Sequence, residues 1–374
     1  MIRILEPFHG AVLNDRLGKR TADGLRIRIR GTAPAGISVS VNGCETTRNG
    51  LEFEGQVTLS DAETDIVATG SDPTGLHEHR VRVVWDRNSR PRYRFSIDDN
   101  SFFLRDIARE RYASLFDCFY LGILRDLNRK YGAKFVLNVF HTTPENDFSL
   151  PQFPDSYKGE WADNADWLRL AFHAYNEFPD RPYQYASAAK LAHDYDLVSN
   201  EILRFAGEDA YSPATVVHWA MVQPSCIPVL VDRGVRVLSG FFSPSFGGGY
   251  TNDGTVRQHA PSTGYDINYL LDGTRCDYLC GHDALKDFAT GVIYSLVDIV
   301  CNNTPVDQVV PLLQAKMDRP ETAEIMDLFT HEQYFWPFYK NHRPDHARRC
   351  EEAIRFCAEN GYEPVFFHEG FLGV

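Results

Sequence analysis

Polar and apolar positions alternate one by one along the first 88 residues. Leu25-Arg26-Ile27-Arg28-Ile29, Ile37-Ser38-Val39-Ser40-Val41, Gln56–Leu59, Asp65–Ala68 and Arg80–Trp85 each carry the period-two pattern of a half-buried strand. Turn residues separate them: Pro34-Ala35-Gly36, Asn42-Gly43, Asn49-Gly50 and Asp72-Pro73-Thr74-Gly75. Short strands at this spacing predict a small all-β sandwich of the immunoglobulin or fibronectin type over residues 1–88. No residue in it has catalytic spacing, so its expected role is to brace or orient a neighbour. Asp86 to Pro91 reads as the linker.

Residues 89–374 have a different rhythm, in which apolar strands alternate with longer amphipathic stretches. Tyr93-Arg94-Phe95-Ser96-Ile97 predicts a strand that runs into Asp98-Asp99-Asn100. Arg105 to Tyr131 reads as helix, stopped by Gly132. Lys134 to His141 is a near-continuous apolar run, the mark of a buried parallel strand. A strand through Leu168–His173, a helix over 187–205, a strand at Ala214–Trp219 and a helix–turn–strand over 228–240 follow. Phe241 to about Asn303 is irregular, with Gly247-Gly248-Gly249 and a strand-like run at Thr290–Val297; an insertion of that length is expected over a site mouth. Thr304-Pro305 predicts a helix start, running to Lys316. Ile325–Glu332 is the next strand, 344–360 the last helix and Pro364–Phe367 a closing strand. This β–α alternation predicts an α/β fold, a parallel (β/α) barrel or doubly wound sheet, as one domain over 89–374.

A formal net charge of −13 argues against nucleic acid or an anionic membrane as partner. Met1 to Pro7 lacks the apolar core of a signal peptide and no segment is long enough to span a bilayer, so a cytoplasmic location is expected. Eight cysteines in 374 residues do not form a disulfide framework pattern. Cys276, Cys280 and His282 have knuckle-like spacing, but no second cysteine pair follows at zinc-site distance.

The ionisable residues gather at predicted strand ends: Asp98-Asp99, His141, His173, His218 and His331-Glu332. In a parallel barrel those ends open on one face, where side chains converge. Carboxylate and imidazole together suit Zn²⁺ and similar divalent ions, and a neighbouring carboxylate can take a proton from water activated by the ion.

These residues carry a resemblance. Ser96-Ile97-Asp98-Asp99-Asn100 resembles the first motif of the polysaccharide deacetylase family, the NodB-homology domain of carbohydrate esterase family four. His173-Ala174-Tyr175-Asn176-Glu177 keeps the spacing of that family's His-x-x-x-His, with Glu177 in place of the second histidine. Leu328-Phe329-Thr330-His331 is similar to its late Leu-x-His motif with one extra residue, and the arginine–proline motif is replaced by His218-Trp219. The resemblance implies an irregular seven-stranded barrel and a metal-dependent hydrolase of an N-acylated sugar or related carbohydrate. By that likeness Asp98 is the base, His331 the acid, and Asp99 and His173 are ligands of a divalent metal, zinc by preference. The third ligand is Glu177 by spacing or His218 by position. Asn100, Tyr175, Trp219, Tyr334 and Trp336 are candidate carbohydrate contacts. A metal-free glycoside hydrolase pairing Asp98 or Asp99 with Glu332 is the alternative enzyme; a carbohydrate-binding protein without turnover is the alternative outside catalysis.

Overall fold

A computed structural model describes residues 1–73, 75–242, 269 and 271–370. Ten strands occupy the first 85 residues. They are β1 (Arg3–Glu6), β2 (Val12–Leu13), β3 (Lys19–Thr21), β4 (Gly24–Thr32) and β5 (Val39–Val41), then β6 (Cys44–Glu45), β7 (Thr47–Asn49), β8 (Glu52–Leu59), β9 (Glu63–Asp72) and β10 (Gly75–Trp85). One sheet has the order β1-β4-β8-β7 with β3 on β4; the other has the order β2-β10-β9-β5-β6. The period-two pattern of the sequence explains the packing: Leu25, Ile27 and Ile29 of β4 are buried while Arg26, Arg28 and Arg30 are exposed. Apolar residues of both sheets, among them Ile27, Phe53, Val41, Ile66 and Val83, meet in a single cluster. At Asn42-Gly43 both residues have positive φ (47° and 80°), as a two-residue hairpin turn requires.

The remaining strands are β11 (Arg92–Asn100), β12 (Phe135–Phe140), β13 (Leu168–Ala174), β14 (Val237–Gly240) and β15 (Ala284–Lys286), then β16 (Ile293–Leu296), β17 (Ile299–Val300), β18 (Ile325–His331) and β19 (Glu363–Pro364). Helices α1 (Phe102–Glu110), α2 (Phe119–Tyr131), α3 (Lys158–Asp163), α4 (Ala188–Phe205) and α5 (Ile227–Val231) fall between the earlier strands. Later come α6 (Gly273–Leu279), α7 (Val306–Met317), α8 (His346–Glu359) and α9 (Phe367–Gly370). The fold is mixed α/β with several sheets. One sheet is parallel, in the order β13-β12-β11-β18-β17, with β19 beside the start of β11. A three-stranded sheet has the order β14-β16-β15. Backbone hydrogen bonds tie the two together: Ser212 N to Leu170 O, Ser239 N to Thr215 O, and Asp298 N to Asp327 O.

Alternation again sorts the side chains of β11. Tyr93, Phe95 and Ile97 belong to the main apolar cluster shared with the helices. Arg94, Ser96 and Asp98 lie on the other face, where Arg94 pairs with buried Asp327 and reaches the Thr215 hydroxyl at 2.6 Å. The starts of the strands meet the N-terminal sheets: Val12 and Val84 pack with Val237, Ile293 and Ile325. Arg92 is buried between Asp86 and Glu324, and Glu324 also binds Arg16 at 2.7 Å and the Ser89 hydroxyl at 2.6 Å. The stretch read as a linker is therefore fixed by ion pairs at that end.

Several sequence readings change. The helix expected over 105–131 is two helices, because Arg111 adopts a left-handed conformation after α1; Gly132 (φ 69°) does end the second. Residues 214–217 form no strand, and His218 opens a one-turn helix at 218–220. The closing strand shrinks to Glu363–Pro364 before α9 begins at Phe367. The glycine run 247–249 lies outside the described residues. Among the described residues no helix is long and apolar enough to cross a membrane.

Candidate metal centre

Neighbours in a regular strand point to opposite faces, so Asp98 and Asp99 cannot share a site while β11 stays regular. It does not: its register with β12 shifts between Ile97 and Asn100, and Asp99 is left-handed at φ 60°. A second shift separates β12 from β13. Val139 pairs with Phe172 and Phe140 with Ala174, which leaves His173 out of the register. Bulges of this kind re-aim side chains beside sites. His218 comes from the one-turn helix, followed by Trp219 and Ala220 at φ 64° and 45°. A left-handed non-glycine residue costs on the order of 1–3 kcal/mol, and three of them lie at or beside these side chains.

The irregularities bring Asp99, His173 and His218, all buried, into one group. His173 Nε2 lies 3.2 Å from Asp99 Oδ1 and 3.1 Å from His218 Nδ1, which is 3.3 Å from the same oxygen. Each ring's outer nitrogen faces a backbone carbonyl: His173 Nδ1 at 3.0 Å from Val216 O, His218 Nε2 at 3.2 Å from Glu177 O. A carbonyl only accepts, so those outer nitrogens donate. In the neutral rings the inner nitrogens then present lone pairs to each other and to a carboxylate. Such an arrangement is repulsive without a proton or a metal cation in its midst. Ligands held about 2.0–2.2 Å from a tetrahedral zinc ion stand roughly 3.3 Å apart, the spacing of these three atoms. The group can hold a metal ion, and its nitrogen and carboxylate donors suit a divalent one of the zinc type. It is the single group of this kind among the described residues.

The charges agree with the geometry. Burial alone would raise the Asp99 carboxyl, yet His331, His173 and His218 hold it well below the usual carboxylate range. Burial pushes His218 down. Burial opposes protonation of His173 too, but Asp98 and Asp99 outweigh it and the ring is raised.

Asp98 stands beside the group, its Oδ2 3.9 Å from His173 Nε2. Its Oδ1 accepts from Asn138 Nδ2 at 2.6 Å and from the Ser96 hydroxyl at 3.1 Å. His331 Nε2 is 3.9 Å from Asp99 Oδ2, its Nδ1 is 2.9 Å from Asn302 Oδ1, and its side chain is 26% exposed. Of the two candidates for a third donor, His218 joins the group, whereas Glu177 enters through its backbone carbonyl. The Glu177 carboxylate accepts from Gln333 at 2.8 Å and is pushed up to about 7 by burial, with Asp99 adding to the effect. Glu332 faces elsewhere. Its oxygens accept the backbone N–H groups of Ser101, Phe102 and Phe103 at 2.6–2.9 Å, at the first turn of α1. Burial raises it to about 8 despite those donors.

The aromatic and amide candidates divide. Tyr334 lies beside His331, ring centroids 5.9 Å apart, and its hydroxyl is raised by burial and then by Asp99. Trp219 lies under Arg181 at 5.0 Å, and exposed Tyr175 stacks on His141. Trp336 is buried against Phe102, Phe119 and Tyr120, with its indole N–H on Asp106. Asn100 is taken up by Ile97 O, Asn138 O and the Tyr120 hydroxyl. Cys276, Cys280 and His282 each bind a backbone carbonyl and form no donor group. The sequence reading missed Ser96, Asn138 and Asn302. For Asn138 a signal was present, a polar residue inside the apolar run Phe135–Phe140.

Neither a protein-family model nor a curated protein matches the chain. Among solved structures, an engineered protein is similar at 15% identity, covering 23% of this chain and 20% of that one, with a TM-score of 0.17. A candidate polysaccharide deacetylase of O-antigen biosynthesis from Bordetella bronchiseptica is similar at 14% identity, covering 76% of this chain and 90% of that one, with a TM-score of 0.32. A candidate alpha-galactosidase from Bacteroides fragilis shares 10% identity over 96% of this chain and 78% of that one, with a TM-score of 0.28. Likeness at this level assigns neither fold nor activity, so the functional reading rests on the site.

Proposed function

We propose that the chain is a metal-dependent hydrolase that cleaves the amide of an N-acylated sugar or related carbohydrate. The observation that carries the reading is the buried trio Asp99, His173 and His218 with a carboxylate, Asp98, and a partly exposed imidazole, His331, at its edge. Asp99, His173 and His218 would hold a divalent ion such as zinc, which would supply Lewis-acid polarisation of the acyl carbonyl and lower the pKa of water toward neutrality. Asp98, with one oxygen held by Asn138 and Ser96, takes the proton from the attacking water through the other. His331, whose Nδ1–H is held by Asn302, delivers a proton from Nε2 to the departing amine. Tyr175, Trp219 and Tyr334 are the aromatic surfaces offered to a sugar ring.

An irregular seven-stranded barrel is part of this reading, supported by the sheet hydrogen bonds that run through 210–215, β14, β16–β17 and β18. Residues 1–88 are an immunoglobulin-like brace against the opposite end of its strands. A two-carboxylate glycosidase gains no support, because the Glu332 oxygens are committed to the start of α1. The test is acid release from N-acylated amino sugars by the ion-loaded protein. Asp98→Asn keeps the ion and slows release by about 10²–10⁴-fold, the usual contribution of a positioned base. Unchanged release in that variant, or turnover of glycosides instead, sinks the proposal.

A further inference from the structure

We infer that Asn138 is the positioning residue of Asp98, an inference that rests on the hydrolase reading above. Asn138 sits in the middle of β12, in the otherwise apolar run Phe135–Phe140, and is fully buried. Its side-chain amide makes two bonds, to Asp98 Oδ1 at 2.6 Å and to the Ser96 hydroxyl at 2.9 Å; Ser96 in turn donates to Asp98 Oδ1 at 3.1 Å. The three groups form a closed ring in which every proton has one place. The two amide protons go to Asp98 and Ser96, and the serine proton goes to Asp98. The carboxylate fixes which way the amide points, since the reverse orientation would set two oxygens against each other.

Asn138 is a poor choice for stability. Its carbonyl oxygen is buried without a protein partner, and an unsatisfied buried acceptor costs about 1–3 kcal/mol. An aliphatic side chain would suit the Phe135–Phe140 run better. What the asparagine provides is direction: it takes up Oδ1, so that Oδ2, 3.9 Å from His173, is the oxygen turned to the metal centre. Asn138 itself is held on regular backbone, since it pairs with Ala171 of β13, and Ile97 pairs with Leu137 just before the β11–β12 register shifts. Asn138 touches no reacting atom in this account and acts only through Asp98.

The experiment is a kinetic cycle on the ion-loaded protein. Asn138→Ala lowers kcat by up to about 10²-fold, the effect of a reacting group misplaced by about an ångström, with KM and ion content little changed. In the Asp98→Asn background the same substitution adds no further loss. Losses that multiply in the double variant, loss of the ion, or an unaltered kcat each overturn the inference. Asn138→Ser, which keeps a short donor, recovers part of the rate if direction is what matters; a rate no better than that of Asn138→Ala counts against it. Should the wild-type, ion-loaded protein release no acid from any acylated probe, the hydrolase reading fails by itself. A crystal structure of Asn138→Ala then decides the geometric point: the Asp98 carboxylate turned away from Ser96 supports the inference, and an unmoved carboxylate overturns it.

Discussion

At its start β11 buries Arg92 between Asp86 and Glu324; at its end it buries Asp98 and Asp99 beside His173 and His218. The first arrangement joins opposite charges and seals the surroundings with Val12, Val84, Ile293 and Ile325. The second sets acceptor against acceptor, breaks the register with β12, and includes left-handed Asp99, Trp219 and Ala220. Folding alone favours the first kind of end. The second makes sense when a cation completes it, which is why the strand ends, and not the strand starts, carry the functional reading.

The largest effect that would break this contrast is at the start. Arg92→Ala leaves Asp86 buried without its cation, while Glu324 keeps Arg16, and a loss of about 3–5 kcal/mol is expected. It should appear as a lowered denaturation midpoint in ion-free protein. His218→Ala in the same ion-free state should cost less, because Asp99 keeps His173 as a partner. Comparable losses in the two variants would contradict the comparison.

Acid stability sharpens it next. Burial pushes His346 down to about 3, at the start of α8 beside Thr330. A depressed folded pKa means that the unfolded chain binds the proton first. The stabilisation from neutral His346 is therefore full above about pH 6.5, the unfolded value, and is lost as pH falls from there toward 3. At pH 4.5 the loss is up to about 2–3 kcal/mol. His346→Gln should flatten the dependence of stability on pH between 6.5 and 4.5; equal slopes in the two proteins would assign the acid lability elsewhere.

Glu332 gives the smallest expected effect. Glu332→Gln sets an amide N–H₂ against backbone N–H groups of Ser101, Phe102 or Phe103, and should destabilise by about 1–3 kcal/mol. Acid release by the folded, ion-loaded variant should persist. Abolished turnover in a variant of normal stability would restore Glu332 to the chemistry.

How much of this was legible in the sequence follows the same division. Strand starts, apolar runs and caps are local, so β11, β12, β18 and α4 with its Ser187 cap could be read directly. The Asp98-Asp99 pair and His173 were visible as strand-end polar residues. That both acids reach one site came only from the family resemblance, because it depends on a left-handed Asp99 and a register shift, and an aspartate carries no local mark of either. His218 was placed correctly in order but wrongly on a strand; its turn is held by long-range bonds such as Tyr269 N to Ala220 O. Glu332 looked like a second acid because the sequence does not say which N–H groups a carboxylate will meet. Asn138 was passed over because a single polar residue in an apolar run reads as tolerance, and Ser96 because it falls on the polar beat of an alternating strand. The shared bond to Asp98 appears only once the strands are side by side.

The most direct test of the central claim is elemental analysis of the wild-type protein and of Asp99→Ala, His173→Ala and His218→Ala, each purified without added metal and shown to be folded. The wild type should carry an equimolar divalent ion, and all three variants should lose it. A wild-type protein that takes up no divalent ion, or variants that retain it in full, would rule out a metal centre at Asp99, His173 and His218.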